Sequence, residues 1–456
     1  MNDSNKQILF EQMPIPGAVA RLVVPTIMGS LVMILYNLAD TYFVGYLNDP
    51  VQNAAVTLAA PMLLAFNAVN NLFGVGSSSM MSRALGLKKY DTVRHSAAFG
   101  IYCSIICGLA FSLGYSLLSG QVLDILGADE TTMEATRQYL FWTVSLGAAP
   151  AITNVVMGYL VRAEGSAINA SIGTMSGCFL NIILDPIFIM PWGLGMGAAG
   201  AGCATFISNC VACLYFLVYV LIKRGRSYVS LSPAMALQGR KVALDILAVG
   251  IPAMVQNLLN VTGMTILNNF TASYGSEAVA AMGIASKVQM VFMYVSMGIS
   301  NGIMPLVGYN YADGNVKRMK EAMAFTAKLI LITLSIATLG CYIFSDQLVG
   351  LFIENAHVIE LGSAFLRGLI LSLPFMAVDF LGVGMYQACG MGKMSLAFAV
   401  MRKIVLEIPA LFVLNALFPM YGLAYAQPFA EFVLAFAAVA VMLKIFRDME
   451  KKERRA

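Results

Sequence analysis

The chain has 456 residues, of which 59% are hydrophobic and only 11% are charged. Soluble domains carry about 25% charged residues, so this composition excludes a typical soluble globular domain and indicates a protein that crosses a membrane many times. The net charge of +4 does not indicate nucleic-acid binding, because the basic residues lie between apolar segments and form no continuous patch.

Twelve apolar stretches are long enough to cross a membrane as helices, since a span needs about 20 apolar residues. The first stretch begins after about fifteen mixed residues and is too long for the hydrophobic part of a cleavable signal, so it is predicted to be a permanent span. In chain order the predicted spans are 17–45, 52–81, 95–118, 137–160, 166–190, 196–222, 243–270, 278–308, 321–345, 362–388, 394–416 and 421–445.

The loops between these spans alternate in charge. Lysine and arginine are frequent before the first span, in the even-numbered loops and in the tail from Lys444 to Arg455, whereas the odd-numbered loops are short or acidic. Arg137 and Arg367, near span ends, are minor exceptions. The positive-inside rule therefore places both termini in the cytoplasm. A miscounted span would disturb the alternation, so the sequence predicts an all-α membrane protein with twelve transmembrane helices.

The two halves of the chain resemble each other at a shift of about 225 residues. Val24-Pro25 recurs as Ile251-Pro252, and Tyr159-Leu-Val-Arg-Ala-Glu-Gly165 matches Met385-Tyr-Gln-Ala-Cys-Gly390. Each half holds six spans, so both halves enter from the cytoplasmic side and are related by an axis along the membrane normal. Such a duplication suits an alternating-access transporter, although channels and membrane enzymes can also be duplicated. The predicted regions are an N-terminal six-helix lobe in 1–222, a cytoplasmic connector in 223–242 and a C-terminal six-helix lobe with a basic tail in 243–456.

Two carboxylates lie inside apolar spans of the first half, Asp40 in the first span and Asp185 in the fifth. A charge near the bilayer centre costs at least roughly 2.5–3.5 kcal/mol, so one that is kept there is usually functional. The same lobe holds neutral oxygen ligands: Asn181 on the Asp185 face, Asn154 in the fourth span and Thr205 in the sixth. Together they could bind Na⁺ or share a proton. Alternatively, each polar residue only joins helices through a hydrogen bond worth about 0.6 kcal/mol.

Pro25 interrupts the first span about four turns before Asp40. Proline removes a helix hydrogen bond and permits a kink. The kink could let the helix change shape with the state of Asp40, or it could be static.

The second half carries charged residues within or beside its apolar spans: Lys287, Asp379, Arg402, Lys403 and Glu407. Their opposite charges offer an internal ion-pair network. The alternative is that Asp379 or Glu407 helps to attract a cationic substrate.

The chain has 30 methionines and 26 phenylalanines, which suit an adaptable cavity for aromatic cations. Packing against lipid or the protein core is the alternative for each candidate pocket residue. The eight cysteines are interpreted as small buried hydrophobes, and with only two histidines neither a histidine-based metal site nor a cofactor is expected. Besides Asp379, the candidates for the pocket are Met28, Met33, Tyr36, Met175, Met254, Gln256, Asn257 and Met290.

Taken together, these motifs resemble the multidrug and toxic compound extrusion (MATE) family, in its bacterial DinF-like or MepA-like branch, over essentially the whole chain. The resemblance implies a twelve-helix exporter of cationic and amphipathic drugs in the bacterial inner membrane, a monomer coupled to inward movement of H⁺ or Na⁺. The matching segments are Pro25, Asn37-Leu-Ala-Asp40-Thr-Tyr-Phe-Val-Gly45, Ser82-Arg-Ala-Leu-Gly86, Arg162-Ala-Glu-Gly165, Asn181-Ile-Ile-Leu-Asp185-Pro186, Gly197-Ala-Ala-Gly200 and Ala204-Thr205.

The resemblance also implies roles for individual residues. Bending of the first helix is associated with the proline that matches Pro25. The ion-coupling residues of DinF-like relatives match Asp40, Asn154, Asn181, Asp185 and Thr205, and an Na⁺ ion would be held by Asp40, Asn181, Asp185 and Thr205.

The second half departs from the NorM-like branch of the family. Those members carry a glutamate in the seventh helix, eight residues after its proline, where this chain has Asn260. Their aspartate in the tenth helix matches Asp379, but the tyrosine four residues before it is replaced by Phe375. A complete cation site in the second lobe is therefore not expected.

Three other functions remain open. A lipid-linked oligosaccharide flippase of the same superfamily is disfavoured because the basic residues concentrate in cytoplasmic loops. A membrane-embedded enzyme is disfavoured because neither His-Glu-x-x-His nor Gly-x-Ser-x-Gly occurs in a span. A channel would differ by passing ions without a drug countercurrent.

Overall fold

The computed structural model describes residues 7–237 and 240–453, and within these ranges the chain is helical with no strand. A bilayer offers no water to backbone N–H and C=O groups, so an apolar chain forms helices, whose hydrogen bonds are internal. The first six residues, residues 238–239 of the predicted connector and the end of the predicted basic tail from residue 454 lie outside the described ranges.

Six long helices make up the first half of the described chain. They are α1, Ile15–Tyr46; α2, Pro50–Gly86; α3, Tyr90–Leu126; α4, Met133–Leu146 with Ala148–Ala163; α5, Ala167–Ile189; and α6, Ala198–Ile222. Asp49 caps α2 by accepting a hydrogen bond from the Val51 N–H at 2.9 Å, and Pro50 follows at the first helical position, where its missing N–H is not needed. The two parts of α4 meet at an angle of 51° around Gly147.

Six further helices make up the second half. They are α7, Arg240–Ala272; α8, Ser276–Asp313; α9, Val316–Ile343; α10, Ala356–Ile370 with Leu373–Ala388; α11, Gly392–Val400, Met401–Glu407 and Ile408–Leu417; and α12, Ala426–Glu453. The parts of α10 meet at 43°, and the middle part of α11 is a π-helix. Short helical segments precede or join the long ones at Ile8–Gln12, Pro233–Leu237, Ser345–Gly350 and Tyr421–Tyr425.

The number of membrane spans agrees with the sequence prediction. In the described part of the chain, nine helices are individually long and apolar enough to cross a membrane, and counting α4 and α10 as bent spans gives eleven. The remaining helix, α11, carries Arg402, Lys403 and Glu407 among its buried residues, so its composition is less apolar than that of the others. With α11 the protein has the predicted twelve-helix, two-lobe membrane fold.

The chain forms two compact units whose boundary does not follow the chain midpoint. The first unit contains Met28–Met254 and the segment up to Gln12, and the second contains Met13–Ile27 and the chain from Val255 onward. Two helices therefore change unit along their length: α1 does so two residues after Pro25, and α7 two residues after Pro252. The division at a connector in 223–242 remains a prediction.

Helices α3 and α4 approach closely at Gly108 in the first unit. A Cβ atom at Gly108 would lie 2.4 Å from the Cα atom of Ala149, which is a backbone atom that cannot move aside alone. Close approach through small residues is the main source of helix packing in a membrane, where lipid tails are as apolar as leucine. A Cβ atom at Gly114, on the same helix, would have no atom within 4 Å.

We expect Gly108→Ala to destabilise the protein by about 1–3 kcal/mol, because the added methyl forces α3 and α4 apart. Gly114→Ala is the matched control, and should leave stability unchanged or raise it by roughly 0.5–1 kcal/mol because alanine favours a helix interior. Thermal unfolding of the detergent-purified variants, followed by circular dichroism, measures both. Equal midpoints for the two variants would contradict the assigned packing.

Candidate functional site

Polar side chains of α5 and α6 meet inside the first unit. Asp185 is fully buried and Asn181, one turn earlier on α5, is 1% exposed. In the amide orientation that satisfies both neighbours, the Asn181 nitrogen donates to Asp185 Oδ2 at 2.9 Å and the Asn181 oxygen accepts a hydrogen bond from the Thr205 hydroxyl at 3.2 Å. A chain of hydrogen bonds therefore joins the Asp185 carboxylate to α6 without any positive charge taking part.

Asp40 approaches the same group from α1. It lies near enough to Asp185 for the two carboxylates to repel each other. Tyr36, one turn before Asp40, lies beside Thr205 of α6, and the buried Tyr139 of α4 lies near both carboxylates. The Asp40 Oδ1 atom is buried and has no hydrogen-bond partner among the described residues. A buried carboxylate oxygen beside a second carboxylate is favoured by a proton or a cation.

We call this set the first-unit cluster. Its side chains come from four helices, and its neutral members supply hydroxyl and amide oxygens to the two carboxylates. Its members are Tyr36, Asp40, Tyr139, Asn181, Asp185 and Thr205.

Asn154, which the family resemblance assigns to ion coupling, lies next to the cluster. Its amide nitrogen donates to the Asn209 side-chain oxygen of α6 at 3.0 Å and to the Pro150 carbonyl at 2.7 Å. Asn209 is one turn after Thr205 on α6. Asn154 therefore connects the second part of α4 by a hydrogen bond to α6, the helix that carries Thr205.

Tyr139 was missed by the sequence analysis. It lies in Met133–Leu140, the first turns of the bent helix α4, where one tyrosine among 19 in the chain gives no distinctive signal. Its place in the cluster depends on the packing of Met133–Leu140 against α2 and α6, which are distant in sequence.

The atoms of the cluster that could bind a cation are all oxygen atoms. Among the described residues, no group of three or more His, Cys, Asp or Glu side chains is placed to hold a metal ion. Two carboxylates with amide and hydroxyl oxygens are nevertheless a suitable donor set for a hard monovalent cation such as Na⁺, and the same carboxylates can take a proton. The assignment of Na⁺ to Asp40, Asn181, Asp185 and Thr205 remains a prediction.

The second unit contains a separate group of buried charges. Arg402 Nη1 of α11 lies 3.2 Å from Asp379 Oδ2 of α10 and 3.8 Å from Glu431 Oε1 of α12. Lys403 Nζ lies 2.6 Å from Glu407 Oε1, one turn later on α11. The predicted ion-pair network is thus present around Asp379 and Glu407.

Two features of this network differ from the sequence expectation. Lys287 was expected to be buried with it, which is wrong, because Lys287 is exposed on α8. Glu431 was missed, although an acidic residue inside the apolar stretch of α12 was a usable signal of the same kind as Asp40.

The predicted drug-pocket residues are divided between the two units. Met28, Met33, Tyr36, Met175 and Met254 belong to the first unit, and Gln256, Asn257, Met290 and Asp379 to the second. Most of them are half-buried, whereas Tyr36 takes part in the first-unit cluster and Asp379 is paired with Arg402. Gln256 accepts a hydrogen bond from the Gln387 amide at 3.2 Å. Their joint role in a drug pocket remains a prediction.

A twelve-helix fold with buried carboxylates and neutral polar partners defines a multi-pass membrane protein, and the family and relatives that it matches are transporters and not enzymes. The MatE family model matches residues 25–187 and again residues 252–413. The chain therefore belongs to the MATE family. The two matches begin at Pro25 and Pro252 and confirm the internal repeat.

Known relatives extend the match over the whole chain. The multidrug export protein MepA of Staphylococcus aureus (strain MRSA252) is 32% identical over 440 residues, which cover 96% of each chain. An outward-facing structure of a multidrug resistance MATE family transporter of the MOP superfamily superposes with a TM-score of 0.92 and 25% identity, covering 99% of this chain and 100% of that one. A MATE structure in a bent conformation gives a TM-score of 0.90 at 25% identity and covers 99% of both chains.

We expect Tyr36→Phe to lower the stability of the protein by about 0.5–1.5 kcal/mol, because the variant loses the polar interaction of the Tyr36 hydroxyl with the Thr205 side chain beside it. Tyr42→Phe, at a residue of the same helix that is 63% exposed, is the matched control and should have no effect. The midpoints of thermal unfolding in detergent compare the two. Tyr36→Phe behaving like Tyr42→Phe would show that the Tyr36 hydroxyl is not held in the first-unit cluster.

Proposed function

We propose that this protein is a multidrug efflux antiporter of the bacterial inner membrane that exports cationic and amphipathic organic compounds in exchange for H⁺ or Na⁺. The observation that carries the proposal is the first-unit cluster, where Asp40 and Asp185 lie together without a basic partner among the described residues. Two carboxylates in an apolar interior repel each other unless a cation or proton joins them. The names of the MATE relatives, which include multidrug export and multidrug resistance, support drugs as the substrates.

In this mechanism the bound ion changes the force on α1. With the cluster neutralised, repulsion between Asp40 and Asp185 falls and α1 can approach α5 and α6. With the ion released, the repulsion returns and favours a different position of α1. One charge that moves inward across about 100 mV supplies roughly 2.3 kcal/mol to this cycle, and a pH difference adds to it.

The backbone around Pro25 gives α1 a place to change shape. Pro25 has no N–H to donate to the Arg21 carbonyl, so one helix hydrogen bond is missing there. The next residue, Thr26, donates its hydroxyl to the Leu22 carbonyl at 2.7 Å, a contact that also bends helices. We propose that α1 bends at this point, close to where it passes from one unit to the other, and that the alternating-access cycle uses this motion.

The drug-binding residues are proposed on chemical grounds. Methionine side chains adapt to differently shaped ligands, and aromatic rings attract organic cations. Met33, Tyr36, Met175, Met254, Gln256, Asn257, Met290 and Asp379 are therefore proposed to contribute to binding. Membrane lipids contact the exposed apolar side chains of the long helices, among which Leu117 and Ile125 of α3 are 71% and 84% exposed. We propose that the transporter works as a monomer.

The coupling role of the cluster predicts the behaviour of two variants in proteoliposomes. Wild-type protein should drive export of a fluorescent organic cation under an imposed pH gradient, an imposed Na⁺ gradient or both. Asp40→Asn and Asp185→Asn should each reduce this export to the rate seen without a gradient, because an amide cannot take up a proton and is a weaker ligand for Na⁺.

Asp124→Asn, at an exposed position near the end of α3, is the matched control and should transport like the wild type. Gradient-driven export that survives in both Asp40→Asn and Asp185→Asn would refute the coupling role. Ion flux in the absence of any drug countercurrent would identify a channel instead.

The membrane orientation can be tested independently of transport. If both termini are cytoplasmic, a C-terminal fusion to green fluorescent protein should fluoresce in cells, and a C-terminal fusion to alkaline phosphatase should be inactive. A fusion of the same phosphatase within the predicted external loop after α3, near Asp129, should be active. The opposite pattern would reverse the orientation.

A further inference from the structure

The guanidinium of Arg402 lies among oxygen atoms from three other helices of the second unit. It reaches Asp379 Oδ2 at 3.2 Å, Glu431 Oε1 at 3.8 Å and the Asn260 side-chain oxygen at 3.0 Å. Arg402, Asp379 and Glu431 are each buried to within 2% of completely. A positive charge is therefore held at the centre of three convergent oxygen ligands, two of them carboxylates.

Some of the oxygen atoms around Arg402 receive no hydrogen bond. Asp379 Oδ1 and Glu431 Oε2 are buried without a hydrogen-bond partner among the described residues, as is the Nε atom of Arg402. The neighbouring Lys403 does not supply these bonds, because it is engaged with both oxygens of Glu407 at 2.6 and 2.7 Å. Two carboxylates thus face one guanidinium, and each keeps one oxygen atom without a hydrogen bond among the described residues.

The backbone of α11 is shaped to place this cation. Arg402 and Lys403 are adjacent residues and both are buried, within the π-helical segment Met401–Glu407. A π-helical turn departs from the regular α-helical spacing and is frequent at functional sites. The guanidinium carbon of Arg402 lies 5.2 Å from the centre of the Phe380 ring, whose face covers the group further.

We propose that Arg402 is a resident cation, whose guanidinium fills a latent monovalent-cation site formed by Asp379, Glu431 and Asn260 and so keeps dissolved cations such as Na⁺ out of the second unit. Carboxylate and amide oxygens are the ligands that a hard cation prefers. An arginine side chain stays charged at any accessible pH. It is also tethered beside these oxygen atoms, whereas a dissolved ion must be captured from solution. Na⁺ entering beside it would meet a like charge a few ångströms away.

A consequence for transport depends on the proposed function: external ions would couple only through the first-unit cluster. The cation site itself does not depend on transport, so its test is a binding measurement. A failure of ion-coupled export would leave that measurement unaffected, and the two proposals can fail separately.

The test removes the tethered charge and asks whether Na⁺ replaces it. In an Asp40→Asn background, which weakens any Na⁺ binding by the first-unit cluster, Arg402→Gln is purified in detergent. Thermal unfolding is then recorded at rising NaCl, with choline chloride keeping the ionic strength constant. We expect the midpoint to rise by several degrees and to saturate, because a cation that binds the folded state stabilises it. The Asp40→Asn protein with Arg402 intact should show no such rise.

Two controls in the same background separate this site from a general salt effect. Arg402→Lys keeps a tethered cation and should not respond to Na⁺. Arg402→Gln combined with Asp379→Asn and Glu431→Gln removes the carboxylates and should not respond either. Arg402→Gln that is folded and insensitive to Na⁺ overturns the proposal, and so does an equal response from either control.

A variant that folds poorly is still informative. Recovery of folded Arg402→Gln protein only when Na⁺ is present throughout purification supports the proposal. If this variant is unfolded in both salts, Arg402→Gln with Glu431→Gln, which retains a single buried carboxylate, replaces it in the same assay. A saturable Na⁺ response of that variant supports the resident cation, and its absence overturns it.

Discussion

The energy of a charge in an apolar interior constrains this protein more than any other interaction. Removing a carboxylate from water costs several kcal/mol unless a partner restores the lost solvation. The two units meet this constraint differently. In the first, Asp185 is hydrogen-bonded to neutral Asn181, and Asp40 keeps an oxygen without a partner among the described residues. In the second, Arg402 and Lys403 stand beside the acids. Only the first arrangement holds two carboxylates without a basic partner among the described residues.

The course of α1 relates the neutralisation of these carboxylates to the bending proposed for this helix. Asp40 and Tyr36 are on the same helix as Pro25, and the helix passes from one compact unit to the other between these features. In the proposed cycle, a change in the charge of the cluster acts on the part of α1 in the first unit, whereas Met13–Ile27 belongs to the second unit. The missing hydrogen bond at Pro25 lowers the energy needed to bend the helix between the two. Pro252 holds the corresponding position on α7.

The sequence was sufficient for the features that depend on length, composition or a single expensive residue. The twelve spans follow from the amount of apolar sequence that a bilayer requires, and Asp40 and Asp185 stand out because ionised side chains are rare in such segments. Glu431 had the same signal and was overlooked, but two other errors, Tyr139 and Lys287, depend on how helices distant in sequence pack. Tyr139 reaches the cluster because its segment of α4 packs against α6, and the exposure of Lys287 depends on which face α8 turns outward. Neither property has a local signature.

The internal repeat shows which parts of the protein were duplicated together and which were not. Pro25 and Pro252 begin the two family matches, yet fifteen residues later Asp40 corresponds to the apolar Leu267. Conversely, Asn260, eight residues after Pro252, corresponds to Met33. The helices and their proline positions are shared, whereas the buried charges sit at positions that are not equivalent. A buried charge is tolerated only with local partners, so each unit has its own set of partners for its buried carboxylates. On the proposed function, this symmetric scaffold with asymmetric charges lets the first unit respond to an external ion, while Arg402 and Lys403 neutralise acids of the second unit from within.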